Sequence, residues 1–170
     1  FIQYNYHMQL NYLNKPHFGN GSIDSLPKII KNLKLKNPLI CSDQGLSSIG
    51  MTNKIVDLIS NEVSVSLYEE TPANPNEKAV NDALSLYRSS ECDSVIGFGG
   101  GSSMDLAKAV ALMANHSGNV IDYSVNEGGI KKINETVPVI AIPTTSGTGS
   151  EVSSGSVIIM NDGRKLLLIS

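Results

Sequence analysis

The sequence of 170 residues has no tryptophan, few other aromatic residues and only two cysteines. Aromatic residues make up 5% of the chain, which argues against a surface that stacks on nucleic-acid bases. Cys41 and Cys92 lie in separate apolar runs and form no CxxC pair, so we expect a reducing, cytoplasmic compartment. No apolar run approaches the ~20 residues of a membrane span, and no cleavable signal opens the chain.

Charged residues are also scarce, at 17% of the chain, and the net charge is −3. Lysines and acidic residues are interspersed, so neither nucleic acid nor an anionic membrane is an expected partner. Apolar residues make up 41%, which excludes a disordered chain and allows one domain with a core. The last residues, "GRKLLLIS", resemble a strand, and we therefore expect the chain to be the first part of a longer protein.

Short apolar runs alternate with segments of helical period from residue 37 onward. The runs typical of strands are 38–43, 63–69, 94–99 and 137–143. This alternation predicts an α/β fold, with a Rossmann-like parallel sheet flanked by helices. The unbroken apolarity of 137–143 predicts a strand that is buried on both faces.

The helical segments carry recognisable start signals and buried stripes. A single helix is predicted over 47–60. Another is predicted to begin with Asn74 as its cap, Pro75 in the first helical position and Glu77 three residues after Asn74. Residues 117–135 are polar and are predicted to form a loop with at most a short helix.

The two ends of the chain differ from its middle. Residues 1–23 contain alternating apolar positions, which predict an extended N-terminal ribbon; these are Tyr4, Tyr6, Met8, Leu10 and Tyr12. Residues 154–170 place Asn161-Asp162-Gly163 between two β-rich runs, a pattern that predicts a β-hairpin.

The run "GFGGGSSMDLAK", residues 97–108, falls between a predicted strand and a predicted helix. Glycines at the carboxyl edge of a parallel sheet let backbone N–H groups approach an anion such as a pyrophosphate. The run is not the common dinucleotide fingerprint, because Ser102 stands where the third glycine belongs, and no P-loop motif is present. A tight turn with Ser102 and Asp105 as a capping pair, and Lys108 in solvent, is an equally good interpretation of this run alone.

Two further features are predicted to reach the same edge. Asp43 ends the first strand, where a carboxylate either accepts hydrogen bonds from an adenosine ribose and repels a 2′-phosphate or caps the next helix. The run "IPTTSGTGSEVS", residues 142–153, follows the fourth strand and is rich in hydroxyls and glycines. Two such loops and an acid on neighbouring strand ends indicate a binding site.

The sequence resembles the iron-containing (group III) alcohol dehydrogenases over nearly its whole length. The matching motifs are "GGGSSMDLAKA" at 99–109 and "PTTSGTGSE" at 143–151, supported by "SDQGL" at 42–46, "NPN" at 74–76 and "RKLL" at 164–167. The resemblance implies that residues 1–170 form the N-terminal dinucleotide-binding domain of an NAD(P)-dependent alcohol dehydrogenase. The complete enzyme would interconvert a small alcohol and its aldehyde or ketone, and the fragment alone would be inactive.

The resemblance also assigns cofactor-binding residues by matched position. Asp43 would bind the adenosine ribose and favour NAD over NADP. The pyrophosphate would lie on Gly99, Gly100, Gly101 and Ser102, with Asp105 in the same motif. The remaining contacts would come from Thr144, Thr145, Thr148 and Lys165.

The metal of that family, Fe²⁺ or another divalent ion such as Zn²⁺, would be held by one aspartate and three histidines of a C-terminal helical domain that is absent from this chain. His7, His17 and His116 are far apart and in no ligand spacing, so each is expected to be a surface or packing residue. The family also implies a homodimer. Glycerol dehydrogenase-like and maleylacetate reductase-like relatives, or a non-catalytic nucleotide-binding domain, remain alternatives; the run at 147–151 favours the alcohol dehydrogenases.

Overall fold

A computed structural model describes residues 14–169. Its α-helices are α1 (Leu26–Leu33), α2 (Gln44–Ser48), α3 (Met51–Ile59), α4 (Glu77–Ser89) and α5 (Gly101–Ala114). Its strands are β1 (Pro38–Cys41), β2 (Ser66–Tyr68), β3 (Ser94–Gly99), β4 (Val139–Pro143), β5 (Gly155–Ile159) and β6 (Lys165–Ile169). Short 3-10 helices occupy Ser22–Ser25, Val120–Tyr123, Val125–Glu127 and Gly129–Lys132.

Strands β1 to β4 form one parallel sheet in the order β2-β1-β3-β4. This confirms the predicted Rossmann-like α/β fold. Strands β5 and β6 pair separately as an antiparallel hairpin, as the Asn161-Asp162-Gly163 turn predicted. Residues 117–135 contain no α-helix or strand but three short 3-10 helices, where the sequence predicted a loop with at most one short helix.

The sheet separates two hydrophobic cores because neighbouring residues of a strand face opposite sides. Leu39 and Val95 pack with α4, α5 and the hairpin, whereas Ile40 and Ile96 pack with α1 and α3. Strand β3 lies between two others and all six of its residues are buried. The carboxyl end of β3, where the glycine run begins, is therefore held by packing on both faces and by strands on both sides.

The prediction that the fourth strand is buried on both faces is wrong. Strand β4 is at the edge of the sheet, its end residues are exposed, and Val139 keeps 37% of its surface accessible. An apolar run shows that a strand is hydrophobic, but it does not say whether another strand or helix covers it.

Two helix predictions are also corrected. The helix expected over 47–60 is divided into α2 and α3, with Gly50 as the N-cap of the second. Helix α4 is capped by Asn76, not Asn74: the Asn76 Oδ1 atom accepts from the Ala79 N–H at 2.9 Å. Helix α1, which begins with Pro27 in its first turn, was not predicted.

The N-terminal ribbon lies largely outside the described residues, since the alternating positions from Tyr4 to Tyr12 precede residue 14. Within residues 14–23 the structure has no strand, and Ser22–Ser25 is a 3-10 helix. Asn14 is tied to the far part of the chain, because its Nδ2 donates to the Glu151 carbonyl at 2.7 Å.

Candidate functional site at the carboxyl edge of the sheet

The sheet register brings the three predicted site segments together. Cys41 pairs with Gly97, and Gly99 pairs with Pro143, so β1, β3 and β4 end at one edge. Asp43 follows β1, the glycine loop (residues 99–102) ends β3 and starts α5, and the threonine loop (residues 144–154) follows β4. Open parallel sheets bind ligands at this edge.

Gly97 and Gly99 permit close packing of β3 against α5. A methyl group at Gly97 would lie 2.8 Å from the Met104 Cα atom, and one at Gly99 would lie 2.5 Å from the Ser103 Oγ atom. Gly99 also has φ of +150°, a conformation that side-chain-bearing residues rarely adopt. These two glycines therefore shape the loop and bring the start of the helix directly to the strand end.

The first turn of α5 presents free backbone donors. Gly100 is the N-cap and has no side chain to accept a hydrogen bond from the turn. The N–H groups of Gly101, Ser102 and Ser103 precede the first intrahelical hydrogen bond, which Met104 donates to the Gly100 carbonyl. Together with the helix dipole, these donors form a site suited to an anion.

The interpretation of Ser102 and Asp105 as a capping pair is wrong. Ser102 lies inside the first turn, and its hydroxyl donates to the Ala73 carbonyl in the segment between β2 and α4. The segment after β2 thus also reaches the glycine loop, a contact that sequence reasoning missed because Ala73 carries no distinctive side chain.

Asp43 performs the capping role and faces the site. Its Oδ1 atom accepts from the Leu46 N–H at 3.1 Å, so it is the N-cap of α2. Its Oδ2 atom lies 3.3 Å from the position that a Cβ atom would take at Gly99. The two interpretations of Asp43 are therefore compatible, because one carboxylate oxygen caps the helix while the other lies beside the glycine loop.

The threonine loop lies against the glycine loop. The Thr144 N–H donates to the Gly99 carbonyl at 2.9 Å. A methyl group at Gly100 would lie 3.6 Å from the Thr145 Oγ1 atom, and one at Gly101 would lie 3.4 Å from the Thr148 Cβ atom. The three threonines are exposed beside the free N–H groups. The Thr148 hydroxyl also accepts from the Ser150 N–H at 3.3 Å, within the threonine loop.

Asp105 and Lys108 are engaged within the protein. The Asp105 carboxylate accepts from the Ser150 hydroxyl and from the Val157 N–H, the latter at 3.0 Å. The Lys108 Nζ atom donates to the Ser150 Oγ at 2.9 Å and to the Gly155 carbonyl at 2.7 Å. Lys108 is therefore not the solvated residue of the alternative interpretation; burial lowers its pKa, and the Asp105 carboxylate opposes that shift.

Lys165 is the predicted site residue that lies farthest along the chain. It is exposed at the start of β6 and pairs with Ile159. The Ile159 N–H donates to the Pro75 carbonyl at 2.9 Å, in the segment that also supplies the Ala73 acceptor for Ser102. Strand β5 thus lies between Lys165 and the segment that borders the glycine loop, and Lys165 makes no hydrogen bond or ion pair to that segment in the described part of the chain.

A metal site does not fit residues 14–169, which contain no group of three or more His, Cys, Asp or Glu residues able to hold an ion. His17 is exposed and His7 lies outside the described residues. The ring of His116 is buried, its Nδ1 donates to the Leu112 carbonyl at 2.6 Å, and its Nε2 accepts from the Asn134 N–H at 2.9 Å. Both ring nitrogens of His116 are therefore engaged in hydrogen bonds, which hold the loop that follows α5 in place.

A surface depression of about 770 Å³ lies at the opposite edge of the sheet. Its lining includes Leu35 and Lys36 before β1, and Ser64 and Val65 before β2. It is open and shares no residue with the loops described above.

Across residues 14–169, no helix combines the length and apolarity needed to cross a membrane.

A sequence model described as iron-containing alcohol dehydrogenase matches residues 14–170. Among curated proteins, 4-hydroxybutyrate dehydrogenase of Cupriavidus necator is 40% identical over 156 residues, or 91% of this chain and 41% of the relative. Alcohol dehydrogenase 4 of Schizosaccharomyces pombe is 37% identical over 142 residues, or 83% of this chain and 33% of the relative. The chain thus spans well under half the length of these relatives.

Solved structures show the same fold. A 1,3-propanediol oxidoreductase superposes with a TM-score of 0.85 at 27% identity, covering 96% of this chain and 43% of the other. Sulfoacetaldehyde reductase from Bifidobacterium kashiwanohense, solved in complex with NAD⁺, superposes with a TM-score of 0.81 at 28% identity over 96% and 43% of the two chains.

Proposed function

The chain belongs to the iron-containing alcohol dehydrogenase family, and we propose that residues 1–170 form the coenzyme-binding domain of a longer NAD-dependent alcohol dehydrogenase. The observation that carries the proposal is the first turn of α5, which has no side-chain cap, begins against the threonine loop and directly follows Gly99, the glycine beside Asp43. The described residues offer no metal ligands, so we assign the metal of the activity to a part of the protein outside this chain.

In this proposal the residues of the chain bind and orient the coenzyme. The N–H groups of Gly101, Ser102 and Ser103 donate to the diphosphate, whose negative charge the helix dipole stabilises. The free carboxylate oxygen of Asp43 accepts from the adenosine ribose hydroxyls. When bound, the nicotinamide supplies hydride transfer to or from the carbon of the substrate.

The loops complete the environment of the coenzyme. Thr144, Thr145 and Thr148 offer hydroxyls from the other side of the diphosphate, and Lys165 offers an ammonium group from the hairpin to a ribose hydroxyl. Asp105 contributes through the contacts that it makes with the threonine loop, since its carboxylate is engaged there. Preorganised donors of this kind need little rearrangement when the coenzyme binds.

The proposal extends to the complete protein, which we take to be a cytoplasmic homodimer that acts on a small alcohol or aldehyde. The relatives named for 4-hydroxybutyrate, 1,3-propanediol and sulfoacetaldehyde support this substrate class. Because the chain covers about two fifths of such proteins, we expect the 170-residue fragment alone to show no turnover.

The test uses the complete gene product and three forms of residue 102: wild type, Ser102→Asp and Ser102→Asn. The aspartate adds a negative charge to the first turn of α5, whose free N–H groups would bind the diphosphate, so we expect NAD affinity to fall about tenfold or more, as for other like-charge contacts. Ser102→Asn is the control, since asparagine has almost the same size as aspartate and carries no charge. Binding is measured by calorimetric titration with NAD.

Turnover is measured in parallel as NADH oxidation with a short aldehyde and added Fe²⁺ or Zn²⁺. An unchanged affinity of the Ser102→Asp variant for NAD would contradict the assignment of the glycine loop. NAD binding without NADH oxidation for any aldehyde and metal would instead favour a non-catalytic nucleotide-binding domain.

A further inference from the structure

Two residues of α5 connect the helix to both the threonine loop and the hairpin. Asp105 and Lys108 lie one turn apart, with Lys108 Nζ 3.6 Å from the Asp105 Oδ1 atom. Both contact the Ser150 hydroxyl in the threonine loop. They also contact the start of β5, through the Gly155 carbonyl and the Val157 N–H.

This ion pair is largely shielded from water. The side chains of Lys108 and Asp105 are 12% and 18% exposed, whereas the ion pair of Lys78 and Asp82 on α4 has side chains that are 77% and 46% exposed. Removing one partner of a shielded pair leaves the other without compensation, and exposed pairs contribute little. The contacts of Asp105 and Lys108 are therefore strong constraints on the segments that they hold.

The threonine loop needs such constraints because it has little apolar packing of its own. Its first residue is fixed by the hydrogen bond from the Thr144 N–H to the Gly99 carbonyl, and Ser150 is buried. Between these two anchors lie exposed residues, among them Thr145 and Thr148, and Gly147 adopts a φ of +94°. The position of the threonines therefore depends on both anchors.

We propose that Asp105 and Lys108 are positioning residues that hold the threonine loop against the glycine loop, and that they thereby set the affinity for the diphosphate part of a dinucleotide. The inference rests on the proposed function and deepens it. If the anchor at Ser150 is lost, the loop populates other conformations. The apparent affinity then falls in proportion to the fraction of molecules whose loop keeps the binding conformation. The adenosine part, assigned to Asp43 at the start of α2, is outside this effect.

The experiment compares Lys108→Met and Ser150→Ala in the complete gene product. Lys108→Met keeps the length of the side chain and removes its charge, whereas Ser150→Ala removes only the hydroxyl that both α5 residues contact. Lys78→Met is the matched control, because it breaks an exposed lysine–aspartate pair one turn apart on another helix. The probes are ADP-ribose, which contains the diphosphate, and adenosine, which does not.

We expect the dissociation constant for ADP-ribose to rise about tenfold in Lys108→Met and about threefold in Ser150→Ala, from partial loss of the competent loop conformation. Adenosine binding, followed by saturation-transfer NMR, should stay within about twofold in both variants, and Lys78→Met should resemble wild type. Ser150→Ala keeps the test available if Lys108→Met does not fold.

Different failures point to different conclusions. If both variants bind ADP-ribose as wild type does, the positioning inference is overturned while the proposed function stands. If adenosine and ADP-ribose lose affinity equally, the effect is on the whole fold, and the inference is again overturned. If the wild-type protein binds neither NAD nor ADP-ribose, the proposed function itself fails.

Discussion

At the scale of the residue, the candidate site depends on atoms whose hydrogen-bonding capacity is divided between fold and ligand. Asp43 uses Oδ1 to cap α2 and leaves Oδ2 beside Gly99. Ser102 uses its hydroxyl for the Ala73 carbonyl and leaves its N–H free at the start of α5. A substitution at either position changes both the local structure and the site, so a useful variant must preserve one function and remove the other.

Asp43→Asn meets this requirement. Asparagine caps helices as well as aspartate does, so we expect the free energy of unfolding to change by less than about 0.5 kcal/mol. It lacks the negative charge that would repel a 2′-phosphate, so the ratio of kcat/KM for NADP to that for NAD should rise about tenfold or more. Steady-state kinetics of the complete gene product measure this ratio.

The control for that substitution is Asp57→Asn, which removes an exposed charge on α3 away from the site. Its coenzyme preference should match that of wild type. A ratio that stays the same in Asp43→Asn would remove Asp43 from the proposed ribose contact.

At the scale of the element, two helices end in a conformation that their residues do not favour. Lys34 after α1 and Glu91 after α4 have φ of 58° and 53°. After α4, the Cys92 N–H donates to the Tyr87 carbonyl and the Glu91 N–H to the Arg88 carbonyl, which is the Schellman pattern. Glycine is the usual residue at this position because it has no Cβ to clash.

Glu91→Gly should therefore stabilise the chain, by about 0.5–1 kcal/mol after the greater flexibility of glycine in the unfolded state is counted. Part of the gain comes from removing a negative charge at the carboxyl end of a helix. Glu91→Gln removes the charge alone and should gain less than about 0.5 kcal/mol. Urea denaturation compares the two variants; equal midpoints would show that the left-handed conformation carries no strain.

At the scale of the whole molecule, the two cores on either side of the sheet keep several ionisable groups away from water. Burial raises the pKa of Tyr68 and of Tyr87 to about 12, from an ordinary value of 10.0. Burial likewise raises the pKa of the Cys41 and Cys92 thiols. Each of these groups contributes its full stabilisation below the pKa that it has in the unfolded chain, and loses it as pH rises through the raised pKa.

The fold should consequently lose stability in alkali. Between pH 10 and pH 12 the unfolded chain releases the Tyr68 and Tyr87 protons while the folded chain retains them, so the free energy of unfolding falls as pH rises. The thiols begin the same trend at lower pH. Lys108, whose pKa is lowered, acts in the opposite direction just below its ordinary value of 10.5.

Thermal unfolding midpoints recorded against pH measure this trend. The double variant Tyr68→Phe, Tyr87→Phe keeps both rings in the core and should show a shallower decline between pH 10 and pH 12. If its decline is as steep as that of wild type, these two phenols are not the cause.

Much of the fold follows from local patterns in the sequence. The alternation of apolar runs and helical segments predicted the parallel sheet, and Asn161-Asp162-Gly163 predicted the hairpin, because period and turn chemistry act over a few neighbouring residues. The glycine loop, the threonine loop and Asp43 were predicted to meet because each follows a strand, and parallel strands end at a common edge.

Other features depended on contacts that no local pattern contains. Helix α4 begins after Asn76 and not after Asn74, because residues 75 and 76 pair with Ile159 of β5. The ends of strand β4 are exposed and its middle is only half-buried, because the strand lies at the edge of the sheet. The roles of Ser102 and Lys108 were decided by Ala73 and Ser150, residues that come from distant segments.

The sequence by itself thus determined the order of the strands, the fold class and the segments that form the candidate site, since these depend on backbone conformation and hydrophobic period. The tertiary structure alone decided which polar atoms are already engaged and which stay free for a ligand. The physical reason is that a hydrogen bond requires two partners within about 3 Å, and only packing brings such partners together from different parts of the chain.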